Sequence, residues 1–263
     1  MSNSFADELR KIPFVTRVVC ASSLSVTLSC IMQLVPPYKV LFIREYVIQR
    51  WEIWRPFTSL FLGTMKFEYI FELFMLYRNS NSLETQHYAR RSADYAWQLF
   101  LATIGILIVN IPLQSVVHSR PLLHTLTYLV SSLSPPGSQA SIMGLITIPV
   151  TYFPYAMLGM DLLMGGTGAA AQGVSGMIVG HLWWWFVWGS GTGAGGAEQG
   201  RLAGYGQAPG WLRNWFGETS ITPSTGMHRD GVTSYAPRRR AEESAGAPRT
   251  GYNWGSGHRL GDS

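Results

Sequence analysis

GVSGMIVGHLWWWFVW, residues 173–188, contains no Asp, Glu, Lys or Arg. Its glycines fall at Gly173, Gly176 and Gly180, and the last two spell GxxxG inside an apolar run. Small residues at that spacing let two helix backbones approach closely within a membrane, where apolar side chains gain little by leaving lipid. Trp183, Trp184, Trp185 and Trp188 close the stretch, as aromatic residues do where a helix leaves the hydrocarbon. A helix over Gly168–Trp188 is therefore expected to span a bilayer and to pack by its glycine stripe. His181 is expected to be a buried polar partner to a neighbouring helix. Packing within the chain is the simpler use of Gly176 and Gly180; an oligomer or partner interface is the other.

Blocks of the same kind recur from residue 14 to residue 190. The chain is 47% hydrophobic and 13% charged, against about 25% charged in ordinary soluble domains. A bilayer span needs about 20 mainly apolar residues. Blocks of roughly that character run Phe14–Pro36, Phe67 to about His87, Tyr95–Leu113, Pro121–Leu133, Ser141–Leu163 and Gly168–Trp188. They predict an all-α, polytopic bundle of six membrane helices. The second and fourth blocks are the weakest. Pro149, Pro154 and Asp161 in the fifth belong against other helices, where freed backbone groups and a carboxylate can be satisfied. Phe14–Pro36 follows Arg10 and Lys11 but has no small-residue cleavage site after it, so it reads as a retained signal-anchor helix.

Charge sets the expected topology. Arg10, Lys11 and Arg17 flank the first block, Arg78, Arg90 and Arg91 the end of the second, and Arg201, Arg213, Arg229 and Arg238–Arg240 follow the sixth. With six spans these regions share one side, and the positive-inside rule makes it cytosolic. The loop 37–66 competes with Lys39, Arg44, Arg50, Arg55 and Lys66, but span count places it opposite. Trp51, Trp54, Phe57 and Phe61 in that loop suit headgroup depth, with Arg55 snorkelling. The net charge of +5 follows from these flanks, and no folded basic face argues for nucleic acid. Cys20 and Cys30 lie ten residues apart on one helix, about 15 Å by rise, too far for a disulfide. His87, His118, His124 and His181 show no metal-ligand spacing, and no cofactor motif is present.

Gly173-Val174-Ser175-Gly176 is a literal GxSG, with His181 downstream. A serine nucleophile needs its base within hydrogen-bond reach. On one regular helix, six residues separate Ser175 and His181 by about 9 Å of rise and an angular offset of about 120°. An intramembrane serine protease is thus the weaker alternative. A transporter or channel would also use polar spans, but no inverted repeat is evident.

The chain ends NWGSGHRLGDS, residues 253–263. Trp254 and Leu260 are apolar anchors flanking Gly255 and Gly257, which permit close backbone approach. Residues 191–252 are rich in Gly, Ser, Pro and Arg and read as a flexible tether. The expected layout is a membrane domain over 1–190, a tether over 191–252 and a docking peptide over 253–263, the last two forming a disordered cytosolic tail.

Several stretches resemble the Derlin family of rhomboid-like pseudoproteases of the endoplasmic reticulum. WRPFTSLFLG, residues 54–63, is similar to the family's WR-containing first lumenal loop, with Trp54 and Arg55 at the motif. FELFMLYRNSNSLE, residues 71–84, resembles its second span and LYRYSxxLE exit. GMIVGHLWWWF, residues 176–186, resembles its GxxxGH sixth span, and GYGQAPGWLRNWF, residues 204–216, is similar to its TPxxLxxxF segment. Residues 253–262 resemble the terminal SHP box of the longer Derlins. The resemblance implies a rhomboid-like, non-catalytic component of endoplasmic-reticulum-associated degradation that helps retrotranslocate misfolded proteins. It implies an ER membrane location with both termini cytosolic, and an ER-membrane ubiquitin-ligase complex as a partner. Misfolded clients are its cargo, and a homo- or hetero-oligomer is compatible with it. Trp254, Gly255, Gly257, Arg259 and Leu260 are then the contacts for the AAA ATPase valosin-containing protein (Cdc48/p97).

Overall fold

The first apolar block forms helix α1, Phe14–Ile31, five residues shorter than its block because Gln33 turns into the left-handed region at φ 57°. The computed structural model describes residues 7, 10–64, 68–135, 137–142, 146–189, 200 and 202–218. The next loop carries two short helices, α2 (Arg44–Gln49) and α3 (Trp54–Phe61). Helix α4, Glu68–Ser82, runs on into a π-turn over Leu83–His87. Helix α5 covers Ser92–Asn110 and α6 covers Ser119–Leu133.

The expectation of a purely helical chain fails at the fifth block. Strands β1 (Gln139–Ile142) and β2 (Ile146–Pro149) form an antiparallel hairpin where a helix from Ser141 was expected. Ile146-Thr147-Ile148 is β-branched throughout and favours an extended backbone. Val150 N–H bonds the Ser138 carbonyl at 3.0 Å, so the pair Gln139–Pro149 is a non-hydrogen-bonded one, where a proline costs the ladder nothing. The helix begins only at Phe153, with Pro154 in its first turn, where a missing N–H is harmless.

Helix α7 (Phe153–Trp183) is broken at Gly166, φ 74° and ψ −170°, and ends in a π-turn over Trp184–Trp188. Glycine visits that region without a Cβ clash. The chain reverses there. A Cβ built on Gly173 would lie 2.9 Å from Leu158, whereas fifteen residues of straight helix would separate them by about 22 Å. The first arm, 153–165, runs antiparallel to α6: Asp161 meets Arg120 and Met157 meets Thr127, while Val150 in the turn before the arm meets Ser131. The return arm runs parallel to α6, with Gly176 at Thr125 and His181 at Tyr128. Six helical segments among the described residues thus alternate along the bundle.

Phe14, His87, Asp94, Leu133, Val150 and Trp188 mark one end. The loop over 37–63 and the connection 111–118 mark the other, joined by Phe42 N–H to the Val116 carbonyl and His118 N–H to the Ser59 carbonyl. The core holds Met75, Leu83, Tyr95, Ile106, Leu122, Leu126 and Leu129. Large apolar residues also face outward along α1, α5 and α7, among them Val18, Leu28, Ile104, Ile108, Leu163 and Ile178. Contiguous apolar exterior of this extent marks a membrane or partner surface. Among the described residues, three helical stretches, Phe14–Ile31, Ser92–Asn110 and Val150–Trp188, are long and apolar enough to cross a bilayer.

Helix α8, Gly210–Phe216, lies beyond the sixth block. Residues 202–218, within the stretch expected as tether, pack on the bundle. Asp94 accepts the Ala208 N–H at 2.7 Å and Arg213 Nη2 at 2.9 Å, and Phe14 packs edge-on against Trp215 and Phe216.

Candidate functional site

Arg55 is 3% exposed, so it does not snorkel as its interfacial neighbours suggested. Its Nη1 donates to the carbonyls of Tyr38 at 2.8 Å and Leu41 at 2.9 Å, and its Nε pairs with Glu52. The guanidinium also sits 4.9 Å from the Tyr46 ring centroid. A planar fork can hold several acceptors at once, so one side chain fastens residues 38–52 to the start of α3. Trp54 beside it faces outward, together with Trp51 and Phe57, whereas Phe61 is buried. Ser59 Oγ lies 3.1 Å from His118 Nδ1, and Phe42 packs edge-on against the same ring. Burial pushes the His118 imidazole down to about 4, because a charged ring would lose its hydration.

The glycine stripe of α7 lies on α6. A Cβ at Gly176 would stand 2.3 Å from the Pro121 carbonyl oxygen, and one at Gly180 2.9 Å from the Thr125 carbonyl oxygen. Both neighbours are backbone atoms and cannot swing aside. Thr125 Oγ1 donates across the contact to the Gly176 carbonyl at 2.8 Å. His181 differs from its expected burial: its ring is exposed and pairs through Nδ1 with Tyr128 Oη at 2.9 Å. Ser175 is buried and donates to Asn110 Oδ1 at 3.1 Å and the Gln172 carbonyl at 2.7 Å. An amide oxygen and a peptide oxygen are not bases of the strength nucleophile activation requires.

Three polar centres carry no local signal in the sequence. Glu84, 3% exposed, accepts the N–H groups of Val15 at 3.1 Å and Thr16 at 2.8 Å and the Thr16 hydroxyl at 2.8 Å. It caps the start of α1 from 68 residues away, where free N–H groups and the helix dipole favour an anion. Ser80 extends the cluster by bridging Thr16 at 3.0 Å and Tyr95 at 2.9 Å. Asp94 gathers Arg91, Arg213 and the Ala208 N–H. Glu218 accepts the Ala93 N–H at 3.0 Å, and burial raises its carboxyl above the ordinary range. Gln98 Oε1 accepts from Trp183 Nε1 at 2.9 Å and from Tyr88, while its Nε2 donates to the Gly206 carbonyl. Ser80 and Glu84 stand in the LYRNSNSLE stretch, but nothing local in it marks them as partners of Thr16, 64 and 68 residues away.

Trp54 and Arg55 therefore lie in the loop at one end of the bundle, and Gly176, Gly180 and His181 on the α6 contact. The structure does not bring these two groups together. Trp254, Gly255, Gly257, Arg259 and Leu260 lie outside the described residues.

A model of the Der1-like family matches residues 12–199. Derlin-1 of Homo sapiens is 29% identical over 267 residues, covering 99% of both chains. Derlin-2.2 of Zea mays is 30% identical over 195 residues, covering 70% of this chain and 78% of that one. Derlin-2 of Oryza sativa subsp. japonica gives the same identity and coverage.

Proposed function

The chain belongs to the Der1-like family, and from that premise we propose that it is a non-catalytic component of endoplasmic-reticulum-associated degradation. In this reading it crosses the ER membrane six times with both termini cytosolic, and helps move misfolded polypeptides to the cytosol for ubiquitination and degradation. The observation that carries the mechanism is the unequal length of the crossing segments. Helix α1 has 18 residues and α5 has 19, whereas α6 has 15 and the first arm of α7 only thirteen. By helical rise the last two reach about 22 and 20 Å, against a hydrocarbon thickness of about 30 Å. They are neighbours in the bundle, so their shortfall adds on one side. Such mismatch is met by thinning the bilayer, at fractions of a kcal/mol per Å. A thinner membrane lowers the barrier for a polar polypeptide, because less of it must leave water.

Loop 37–63, held by Arg55 and flanked by Trp51 and Trp54, forms the lumenal rim in this reading. Gly176 and Gly180 fix the return arm on α6 so that the short pair keeps its shape. Residues 253–263 dock the AAA ATPase Cdc48/p97, with Trp254 and Leu260 as anchors, Gly255 and Gly257 allowing close approach and Arg259 adding a rim charge. Residues 219–252 serve as the tether that raises the ATPase's local concentration. An ER-membrane ubiquitin-ligase complex and misfolded clients complete the partners.

The test is co-purification from native ER membranes. The full chain should bring the ATPase with it, and Trp254→Ala/Leu260→Ala should insert normally while losing the ATPase. Equal recovery with both would remove the docking assignment. Absence of the chain from the ER would remove the whole reading.

A further inference from the structure

Arg120, His124 and Asp161 form a polar cluster within the bundle that the function above does not use. Arg120 Nη1 meets Asp161 Oδ1 at 3.1 Å, and His124 Nε2 lies 3.3 Å from Asp161 Oδ2. His124 is 1% exposed. Its Nδ1 lies 3.2 Å from the Arg120 carbonyl. A carbonyl only accepts, so Nδ1 carries the ring's hydrogen. In a neutral ring, Nε2 is then a bare lone pair 3.3 Å from a carboxylate oxygen, without the alignment of a hydrogen bond. Both atoms are buried, and neither has a hydrogen-bond partner among the described residues. Two facing acceptors repel, and buried polar atoms without partners are costly.

One proton removes the conflict, either on Nε2 as an imidazolium beside a carboxylate or on Oδ2 as a carboxylic acid beside the lone pair. We propose that Arg120, His124 and Asp161 form an intramembrane proton-binding site that clasps the first arm of α7 to α6. Either placement of the proton brings the three groups to a net charge of +1, and the two forms are one site. Glu68 on α4 is the further carboxylate acting on Asp161, and it offsets part of that charge. The return arm presents Gly173 to the ring, where a Cβ would stand 3.1 Å from Nε2; it adds no charge and leaves the imidazole room. Asp161 precedes the break at Gly166 by five residues, so the clasp grips the arm beside its turn. The Arg120–Asp161 contact ties that arm to α6 in either state; the bound proton removes the repulsion between His124 and Asp161, and losing it restores that repulsion.

The sign of the pH dependence tests this. A proton bound by the folded bundle and not by the unfolded chain stabilises at low pH, and its contribution is lost as pH rises. A neutral buried histidine has the opposite sign. The measurement is thermal unfolding of the full chain in lipid nanodiscs from about pH 6 to about pH 9, spanning the ordinary histidine value. It compares wild type with His124→Gln and Asp161→Asn, each of which supplies an amide N–H in place of the proton. The folded-to-unfolded ratio of wild type relative to either variant should fall with rising pH, by up to about tenfold per pH unit for one proton. His118 titrates in all three proteins and cancels in the comparison. Parallel profiles, or wild type gaining on the variants as pH rises, would overturn the site. If a variant fails to insert, infrared spectra of the wild type across the same range decide. Loss of one protonated carboxyl or imidazolium signal supports the site, and an unchanged spectrum overturns it.

Discussion

Arg55 reaches two backbone carbonyls and a carboxylate from a single buried position. Lysine offers one compact charge and cannot span them. Arg55→Ala should leave Glu52, Tyr38 O and Leu41 O without their donor and cost roughly 2–4 kcal/mol, read as earlier thermal unfolding of the purified chain. Arg55→Lys should recover only part of that loss. Gly176 and Gly180 face peptide oxygens, so Gly176→Leu and Gly180→Leu should each cost about 1–3 kcal/mol by overpacking and slow client clearance. Ser175→Ala should leave clearance unchanged, because among the described residues that hydroxyl meets only an amide and a peptide oxygen. His118 adds a pH effect outside the membrane segments. Its folded value of about 4 lies below the ordinary value of about 6.5, so the unfolded chain binds the proton first. Stability is full above about pH 6.5 and declines toward pH 4, and His118→Gln should flatten that decline in a melting series.

At the scale of elements, the apolar blocks announced α1, α5 and the return arm of α7 well, because an unbroken apolar run needs no distant partner to be recognised. The hairpin did not announce itself. Ile146, Thr147 and Ile148 are as apolar as a membrane helix, and only their β-branching and the flanking Pro149 and Pro154 favour a strand. The cap on α1 was equally hidden, since Glu84 acts through space across 68 residues of chain. The same holds for Asp94, which draws residues 208 and 213 back onto α5. Asp94→Ala should release that segment, read as new protease cleavage between residues 200 and 218 in otherwise intact protein. Retained protection would mean that Phe14 and its ring contacts suffice. Arg55 was legible as a motif residue but not as a buried one, because burial depends on where loop 37–52 folds.

For the whole molecule, the basic flanks and the alternation of six segments predict a definite arrangement in the membrane. Glycosylation acceptors placed in residues 37–66 should be modified, and acceptors at either terminus should stay bare. A modified C-terminus would invert the topology and place the tail away from any cytosolic ATPase. The short first arm of α7 follows from folding, whereas the fourth block, Pro121–Leu133, is already short in the sequence. The sequence placed the start of the fifth span twelve residues too early and so hid how short that arm is. The central claim is that this bundle moves misfolded polypeptides out of the ER without covalent chemistry. The most direct measurement is a chase of a misfolded ER protein in cells lacking the chain, complemented with wild type, with Ser175→Ala or with Gly176→Leu/Gly180→Leu. Clearance should return with wild type and Ser175→Ala and stay slow with the glycine double variant. Clearance that wild type fails to restore, or that Ser175→Ala abolishes in a normally folded protein, would contradict it.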